Sequence, residues 1–219
     1  MAAKLFPAPL LPARCSTRNR ALWAIIGFLA LLGVLAAFAA YANDVSDLRR
    51  HVVLIRQTGG GGGSGVILHD GTVLKAKHVV VDNRAVTVIT TYGGRTLVAN
   101  QIWRSPDSDI AILRVSLGQG LEIDCRPPRF GEHISTIGFP MGLKWAASQG
   151  IVSMTEPDPD TGDYPIDMSV SPGSSGGPVL AGGKIIGMIV GVLVSNIGPS
   201  GIASMIPAME ICKEIGAVK

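Results

Sequence analysis

The chain has 219 residues, of which 47% are apolar and 16% are charged. Such a composition excludes an intrinsically disordered chain and suffices for one sizeable hydrophobic core. The net charge of +3 is concentrated in the first 42 residues, which hold four basic residues and no acid, so the rest of the chain is nearly neutral. A nearly neutral body excludes nucleic acid as the partner, because binding to phosphates requires a clustered excess of Lys and Arg.

The first predicted element is a transmembrane helix over residues 21–42, which form 22 consecutive residues without a charge. A helix rises 1.5 Å per residue, so this stretch is long enough to cross a hydrocarbon core of about 30 Å. The basic residues lie before it, and the positive-inside rule therefore predicts a cytoplasmic tail over residues 1–20. The body, residues 43–219, is then extracytoplasmic, either periplasmic or extracellular.

A cleaved signal peptide is the alternative interpretation of the same segment. Ala40, Tyr41 and Ala42 match the small-x-small pattern of a signal-peptidase site, and cleavage after Ala42 would give a secreted protein. The apolar run exceeds the ~7–15 residues usual for a signal peptide, which favours a retained signal anchor.

The body is predicted to be all-β, because short β-branched runs alternate with turn residues. Asp70-Gly71, Gly93-Gly94 and Gly182-Gly183 supply hairpin turns. Eight to ten strands in such an arrangement predict a barrel or a pair of barrels, followed by a short C-terminal helix over residues 208–215. The predicted strands are residues 65–68, 72–76, 85–91, 96–103, 110–115, 133–138, 150–154, 178–180 and 184–194.

Neither a metal nor a cofactor is expected. The three cysteines, Cys15, Cys125 and Cys212, have no metal-site spacing and are too few for a disulfide framework. Cys125 and Cys212 could pair in an oxidising compartment, but two cysteines alone do not establish a bond, and we expect them to be unpaired. The glycine-rich residues 59–65 lack the Gly-Lys-Ser/Thr sequence of a phosphate-binding loop.

The candidate nucleophile lies in residues 171–178, with the sequence SPGSSGGP. Small residues allow a tight turn whose N–H groups converge on one point, which is the geometry of an oxyanion hole. A serine nucleophile needs a histidine base that is oriented by a carboxylate. His78 and Asp109 are candidates upstream of this loop, with Asp107 as the rival acid. The other histidines, His51, His69 and His133, are interpreted as surface or strand residues.

These residues resemble trypsin-like serine peptidases, and among them the HtrA/Deg group of exported proteases. Residues 74–80 (LKAKHVV) resemble the L-T-x-x-HVV segment of that family, and residues 172–178 (PGSSGGP) resemble PGNSGGP. Ser174 replaces the usual Asn, and residues 75–77 are more basic than usual. Seven segments match in the same order, and the other five are residues 63–67, 107–113, 138–153, 186–189 and 201–207.

The resemblance implies a double β-barrel of the chymotrypsin/trypsin type. Typical HtrA proteins also have a PDZ domain, and we expect none here because the sequence stops at Lys219, soon after the predicted helix. The resemblance also implies a catalytic triad of His78, Asp109 and Ser175. The backbone N–H groups of Gly173, Ser174 and Ser175 would form the oxyanion hole. The predicted lining of the primary specificity pocket is Ser169, Val170, Met188 and Ile189, which include no acid and favour an aliphatic side chain before the scissile bond.

The predicted function is therefore that of a serine endopeptidase acting on exported proteins or peptides, with membrane contact through residues 21–42. Two alternatives are a dedicated self-processing peptidase of viral type and an inactive protease-fold binding protein. The sequence leaves the oligomeric state open.

Overall fold

The structure is a computed structural model that describes residues 17–58, 61–80, 87–195 and 198–216. Contacts divide the chain into two compact units, one ending at Asn43 and the other running from Asp44 onward. The first 16 residues of the predicted tail lie outside the described residues.

In the first unit the structure describes a long helix, α1, which spans Thr17–Leu48 and therefore continues past Asn43. The apolar side chains described in it, between residues 22 and 35, are exposed. Where side chains are described, no helix has an apolar stretch of the length needed to cross a membrane. The assignment of residues 21–42 to a membrane stays a prediction.

The second unit begins with a seven-stranded antiparallel sheet in the order β5-β4-β1-β2-β3-β7-β6. Most side chains of β1 and all four of β3 are buried, which agrees with the predicted burial of apolar strands. Its strands are β1 (Val52–Gln57), β2 (Gly62–Ile67), β3 (Val73–Ala76), β4 (Thr87–Thr90), β5 (Thr96–Val98), β6 (Gln101–Arg104) and β7 (Ile110–Arg114).

The other six strands form a closed barrel in the order β10-β13-β12-β11-β8-β9. A C-terminal helix, α2 (Ala208–Gly216), follows it and packs on β12 and β13. The barrel strands are β8 (His133–Gly138), β9 (Ala146–Val152), β10 (Tyr164–Met168), β11 (Pro178–Ala181), β12 (Lys184–Ser195) and β13 (Gly198–Pro207).

The all-β prediction is confirmed, as is the short C-terminal helix. Gly182 and Gly183, which connect β11 to β12, both have positive φ (54° and 76°), as a tight two-residue hairpin requires. The described segments hold more strands than predicted, because β1, β10 and β13 were missed and the predicted strand 96–103 is two strands. Pro199 and Gly201 lie in β13, although both residue types are unfavourable within a strand. The strand forms nevertheless because it pairs with the long strand β12.

One core cluster extends across both sheets. It includes Val66 and Leu74 from the first sheet and Leu180, Met188 and Ile206 from the second, all at most 3% exposed. Each sheet also has a cluster of its own. The two sheets are therefore packed through a shared apolar interior, which places the ends of β3 and β7 near the loop that precedes β11.

Cys125 and Cys212 form a disulfide, so the expectation that they are unpaired is wrong. The bond joins the segment between the two sheets to α2, with a Cα–Cα distance of 5.9 Å across 87 positions of sequence. Local sequence patterns cannot predict a pairing over this separation, because only the fold brings the two cysteines together.

Removing this disulfide should destabilise the protein. A cross-link that closes a loop of this length removes unfolded-state entropy worth about 4 kcal/mol. We expect the full chain with Cys125→Ser and Cys212→Ser to lose free energy of unfolding of about that size in urea denaturation. Dithiothreitol should lower the stability of the wild type and leave that of the double variant unchanged. Equal midpoints for oxidised wild type and double variant would contradict this.

Candidate active site

The histidine and the carboxylate of the candidate site come from two neighbouring strand ends. His78 lies in a 3-10 turn immediately after β3, and Asp109 immediately precedes β7. Because β3 and β7 are hydrogen-bonded neighbours, these two positions meet. Asp109 accepts two hydrogen bonds from His78, one from the backbone N–H to Oδ1 at 2.7 Å and one from Nδ1 to Oδ2 at 2.6 Å.

This pairing has a chemical consequence for the imidazole ring. A hydrogen bond from Nδ1–H to the carboxylate selects the tautomer whose Nε2 is free to accept a proton. The carboxylate also stabilises the imidazolium that forms when Nε2 takes that proton. The pair therefore has the properties of an oriented general base.

The rival acid, Asp107, is exposed, and its backbone N–H donates to Ser105 Oγ at 3.1 Å. Ser105 is buried and organises the turn before Asp109, because its hydroxyl also accepts the N–H of Ser108 at 3.0 Å and donates to Glu214 of α2 at 2.7 Å. No hydrogen bond between Asp107 and His78 occurs among the described residues. The other histidines lie away from this pair, with His69 and His133 exposed and His51 half-buried.

Ser175 lies in the turn that precedes β11, at the side of the second sheet that faces the first. Its hydroxyl donates to the carbonyl of Val190 on β12 at 3.3 Å. The described contacts include no hydrogen bond between this hydroxyl and His78. In unliganded proteases such bonds are often long and tighten only when substrate is bound.

Two backbone N–H groups beside the Ser175 hydroxyl are available for a ligand. The carbonyl of Pro172 accepts a hydrogen bond from Met141 N at 2.7 Å. In a trans peptide the C=O and N–H bonds point in opposite directions, so the N–H of Gly173 points away from Met141. Within the described chain, neither Gly173 N–H nor Ser175 N–H has an acceptor. Ser174 N–H donates to the carbonyl of Ser171 at 2.9 Å, so this third predicted donor is already occupied.

Gly173 is required at its position by both backbone conformation and space. Its φ is +102°, and a Cβ atom there would lie 2.3 Å from the carbonyl oxygen of Phe139. Any other residue would displace the loop that presents the free N–H groups.

Buried hydrogen bonds connect this loop to the first sheet. Ser64 of β2 is fully buried, and its hydroxyl donates to the carbonyl of Gly173 at 2.7 Å and accepts from Phe139 N at 3.0 Å. Ser64 N–H donates to the carbonyl of Ser175 at 3.1 Å. Lys75 of β3 also donates to the Ser175 carbonyl, at 2.9 Å.

The predicted specificity residues occupy different environments. Ser169 is exposed and Val170 is half-buried. Met188 and Ile189 are at most 1% exposed and pack into different core clusters, because adjacent strand residues point to opposite faces. The next position, Val190, instead contacts Ser175 through its carbonyl.

Sequence reasoning missed Ser64, Lys75 and Val190 as neighbours of the loop. Ser64 and Val190 carry no signal, since a serine in a glycine-rich strand and a valine in an apolar strand are ordinary. Lys75 does carry one, because it is a charged residue within an otherwise apolar strand. The described residues include no group of three or more His, Cys, Asp or Glu side chains that could hold a metal ion.

Comparison with known proteins gives the class. The family model of the trypsin-like peptidase domain matches residues 63–188. That match covers more than half of the chain, so the chain belongs to the trypsin-like peptidase family.

The similar proteins narrow the class to the HtrA group. A probable periplasmic serine endoprotease, DegP-like, of Brucella suis biovar 1 (strain 1330) is 34% identical over 157 residues, which are 67% of this chain and 30% of that protein. The chain thus spans about a third of the length of the curated relatives it matches. The HtrA-type protease AlgW with tripeptide is 29% identical, with a TM-score of 0.69 over 80% of this chain and 63% of that one.

A third comparison supports the fold alone. The Rv3671c protease of M. tuberculosis H37Rv, in its inactive form, is 21% identical, with a TM-score of 0.67 over 80% of this chain and 92% of that one. The chymotrypsin-like arrangement of an open and a closed β-barrel is therefore shared with solved proteases.

Replacing Ser64 by alanine should destabilise the protein. The change leaves the Phe139 N–H and the Gly173 carbonyl without their buried partner, which costs about 1–3 kcal/mol of unfolding free energy. Urea denaturation of the full chain measures this loss. Ser116→Ala, at an exposed position two residues after β7, is the control and should change stability by less than about 0.5 kcal/mol. Equal effects of the two substitutions would show that the Ser64 hydroxyl does not support the loop.

Proposed function

We propose that this chain is a serine endopeptidase that acts through Ser175, His78 and Asp109 and forms an acyl-enzyme. The observation that carries the proposal is the pair of N–H groups at Gly173 and Ser175, which lack acceptors in the described chain and belong to the same turn as the Ser175 hydroxyl. Such N–H groups stabilise the negative charge that develops on a carbonyl oxygen during acyl transfer. The oriented His78 supplies the matching base.

The first half of the reaction follows from these roles. A rotation about the Cα–Cβ bond of Ser175 releases its long hydrogen bond to Val190. His78 Nε2 then takes the hydroxyl proton as Oγ attacks the peptide carbonyl. The new C–O bond places the negative charge on the former carbonyl oxygen, where the Gly173 and Ser175 N–H groups bind it. When this intermediate collapses, the C–N bond breaks and the imidazolium protonates the leaving amine.

Water completes the reaction. His78 takes a proton from water as the water attacks the acyl ester, and it returns the proton to Ser175 Oγ as the acid product leaves. Asp109 keeps the ring in one tautomer and stabilises the imidazolium in both halves. It does not itself take a proton in this scheme.

The substrates are proposed to be exported proteins or peptides. The name of the DegP-like relative describes a periplasmic protein, which supports an extracytoplasmic location for the protease unit. The disulfide between Cys125 and Cys212 also fits an oxidising compartment. A membrane anchor over residues 21–42 is part of this proposal, with the cleaved signal peptide as its alternative.

The side chain before the scissile bond is proposed to be aliphatic. The predicted pocket residues Ser169 and Val170 are not acidic, and neither are residues 190–193, which begin at the Val190 carbonyl that Ser175 contacts. A cationic substrate side chain would lose its hydration there without gaining a countercharge. An open cleft of about 360 Å³ borders Gly173 and offers room for the substrate beyond the loop.

Replacing Ser175 by alanine should abolish covalent labelling by a fluorophosphonate. The substitution removes the nucleophilic oxygen and leaves a small change in volume, so the fold should persist. Labelling is measured on the full chain, with Ser116→Ala as the labelled control. Labelling of Ser175→Ala would show that another serine reacts, and an unlabelled wild type would favour the inactive binding protein.

Asp109→Asn and Asp107→Asn form a matched pair that tests the acid. Asparagine at 109 can donate to Nδ1 and thereby favour the wrong tautomer, so kcat should fall by about ten-thousandfold. Asp107→Asn should change kcat by less than about tenfold, because its carboxylate has no contact with His78 in the described structure. Hydrolysis of a fluorogenic peptide measures both. Reversed effects would transfer the role of acid to Asp107.

A further inference from the structure

Lys75 is a lysine without solvent contact in the middle of β3, and it is fully buried. Among the buried residues that the structure describes, Lys75 is the only Asp, Glu, Lys, Arg or His. The family segment that residues 74–80 resemble has threonine at this position. The lysine is therefore a feature of this chain that the family resemblance does not explain.

The side-chain amine of Lys75 is bound by two backbone carbonyls. Nζ donates to the oxygen of Ser64 at 2.6 Å and to the oxygen of Ser175 at 2.9 Å. Ser64 belongs to the first sheet and Ser175 to the turn before β11 of the second. Through one amine, Lys75 thus joins the nucleophile's own peptide group to the opposite sheet.

Two glycines make room for this side chain. A Cβ atom on Gly63 would lie 2.6 Å from Lys75 Nζ, and one on Gly176 would lie 2.8 Å from its Cδ. Both distances are far shorter than any real contact of a Cβ atom, so the lysine fills the space beside these glycines. The turn that carries Ser175 is packed directly on the lysine side chain.

Burial also affects the protonation of the Lys75 amine. Burial lowers the pKa of the amine well below 10.5, against the opposing effect of the Asp109 carboxylate. Burial therefore favours the uncharged amine, which has two N–H bonds. The two donors of an uncharged amine equal in number the two carbonyl acceptors that Lys75 contacts.

We infer that Lys75 is a positioning residue, whose amine holds the Ser175–Gly176 peptide in the orientation that nucleophilic attack requires. The inference rests on the proposed function of Ser175. Fixing the carbonyl of Ser175 restricts rotation of the residue that carries both the nucleophile and an oxyanion N–H. A methylene chain without the amine could fill much of the same volume, but the Ser175 carbonyl would then keep only the hydrogen bond from the Ser64 N–H, at 3.1 Å.

The test compares Lys75→Met with the wild type in the full chain. Methionine has an unbranched apolar side chain that ends at the position of the lysine Cε, and it donates no hydrogen bond. We expect kcat to fall about tenfold to a hundredfold, the loss typical of a misplacement of reacting groups by about 1 Å, while KM changes by less than about threefold. The rate constant for fluorophosphonate labelling should fall by the same factor as kcat.

Rates are expressed per folded molecule, with the folded fraction determined by near-ultraviolet circular dichroism. A merely structural role would lower the folded fraction and leave these rates unchanged. Lys184→Met is the matched control, since Lys184 is an exposed lysine that pairs with Glu122 at 2.8 Å. The control should keep the wild-type kcat.

Lys75→Thr introduces the residue of the family segment, and it is the second test variant if Lys75→Met does not fold. Threonine is too short to reach both carbonyls, so the same fall in kcat is expected. A wild-type kcat per folded molecule in either variant would overturn the inference and leave the proposed function standing. A wild-type protein that neither hydrolyses peptides nor reacts with the fluorophosphonate would overturn both.

Discussion

The contact between the two sheets is the constraint on which the candidate site depends. His78 and Asp109 belong to the first sheet, whereas Ser175 belongs to the second. Neither sheet alone can assemble a nucleophile with its base. Their relative position must therefore be set to within a few tenths of an ångström, and an apolar interface by itself is poorly suited to this because hydrophobic burial has no direction.

Hydrogen bonds supply the missing direction at this interface. The carbonyls of Gly173 and Ser175 are turned into the interior, where an unpaired carbonyl costs about 1–3 kcal/mol. Ser64 and Lys75 satisfy them from the other sheet. A shift between the sheets would break these bonds together, so the apolar core provides cohesion and the polar contacts select one alignment.

The sequence predicted much of the fold because the relevant signals are local. Strands such as β7 and β8 show β-branched runs, and the Gly182-Gly183 hairpin shows its turn residues. One of the strands that escaped prediction, β13, lacks such a local signal. β13 contains proline and glycine, and it is held by pairing with both β12 and β10.

The site was predictable to a similar extent and for a similar reason. Each of His78, Asp109 and Ser175 lies in a short segment with a recognisable pattern, and the structure brings the first two into hydrogen-bond contact. The support around Ser175 was not predictable, because Ser64 and Lys75 lie 109 and 100 positions from the residues they bind. Met188 and Ile189 are buried in different core clusters, and their assignment to the specificity pocket stays a prediction.

The bond between Cys125 and Cys212 has a topological consequence. All six strands of the closed barrel lie between these two cysteines, so this part of the second unit is a covalent ring. A single backbone cut anywhere in the ring leaves both fragments attached. The ring can thus be nicked without dissociating, and Ser175 stays linked to the polypeptide that carries His78 and Asp109.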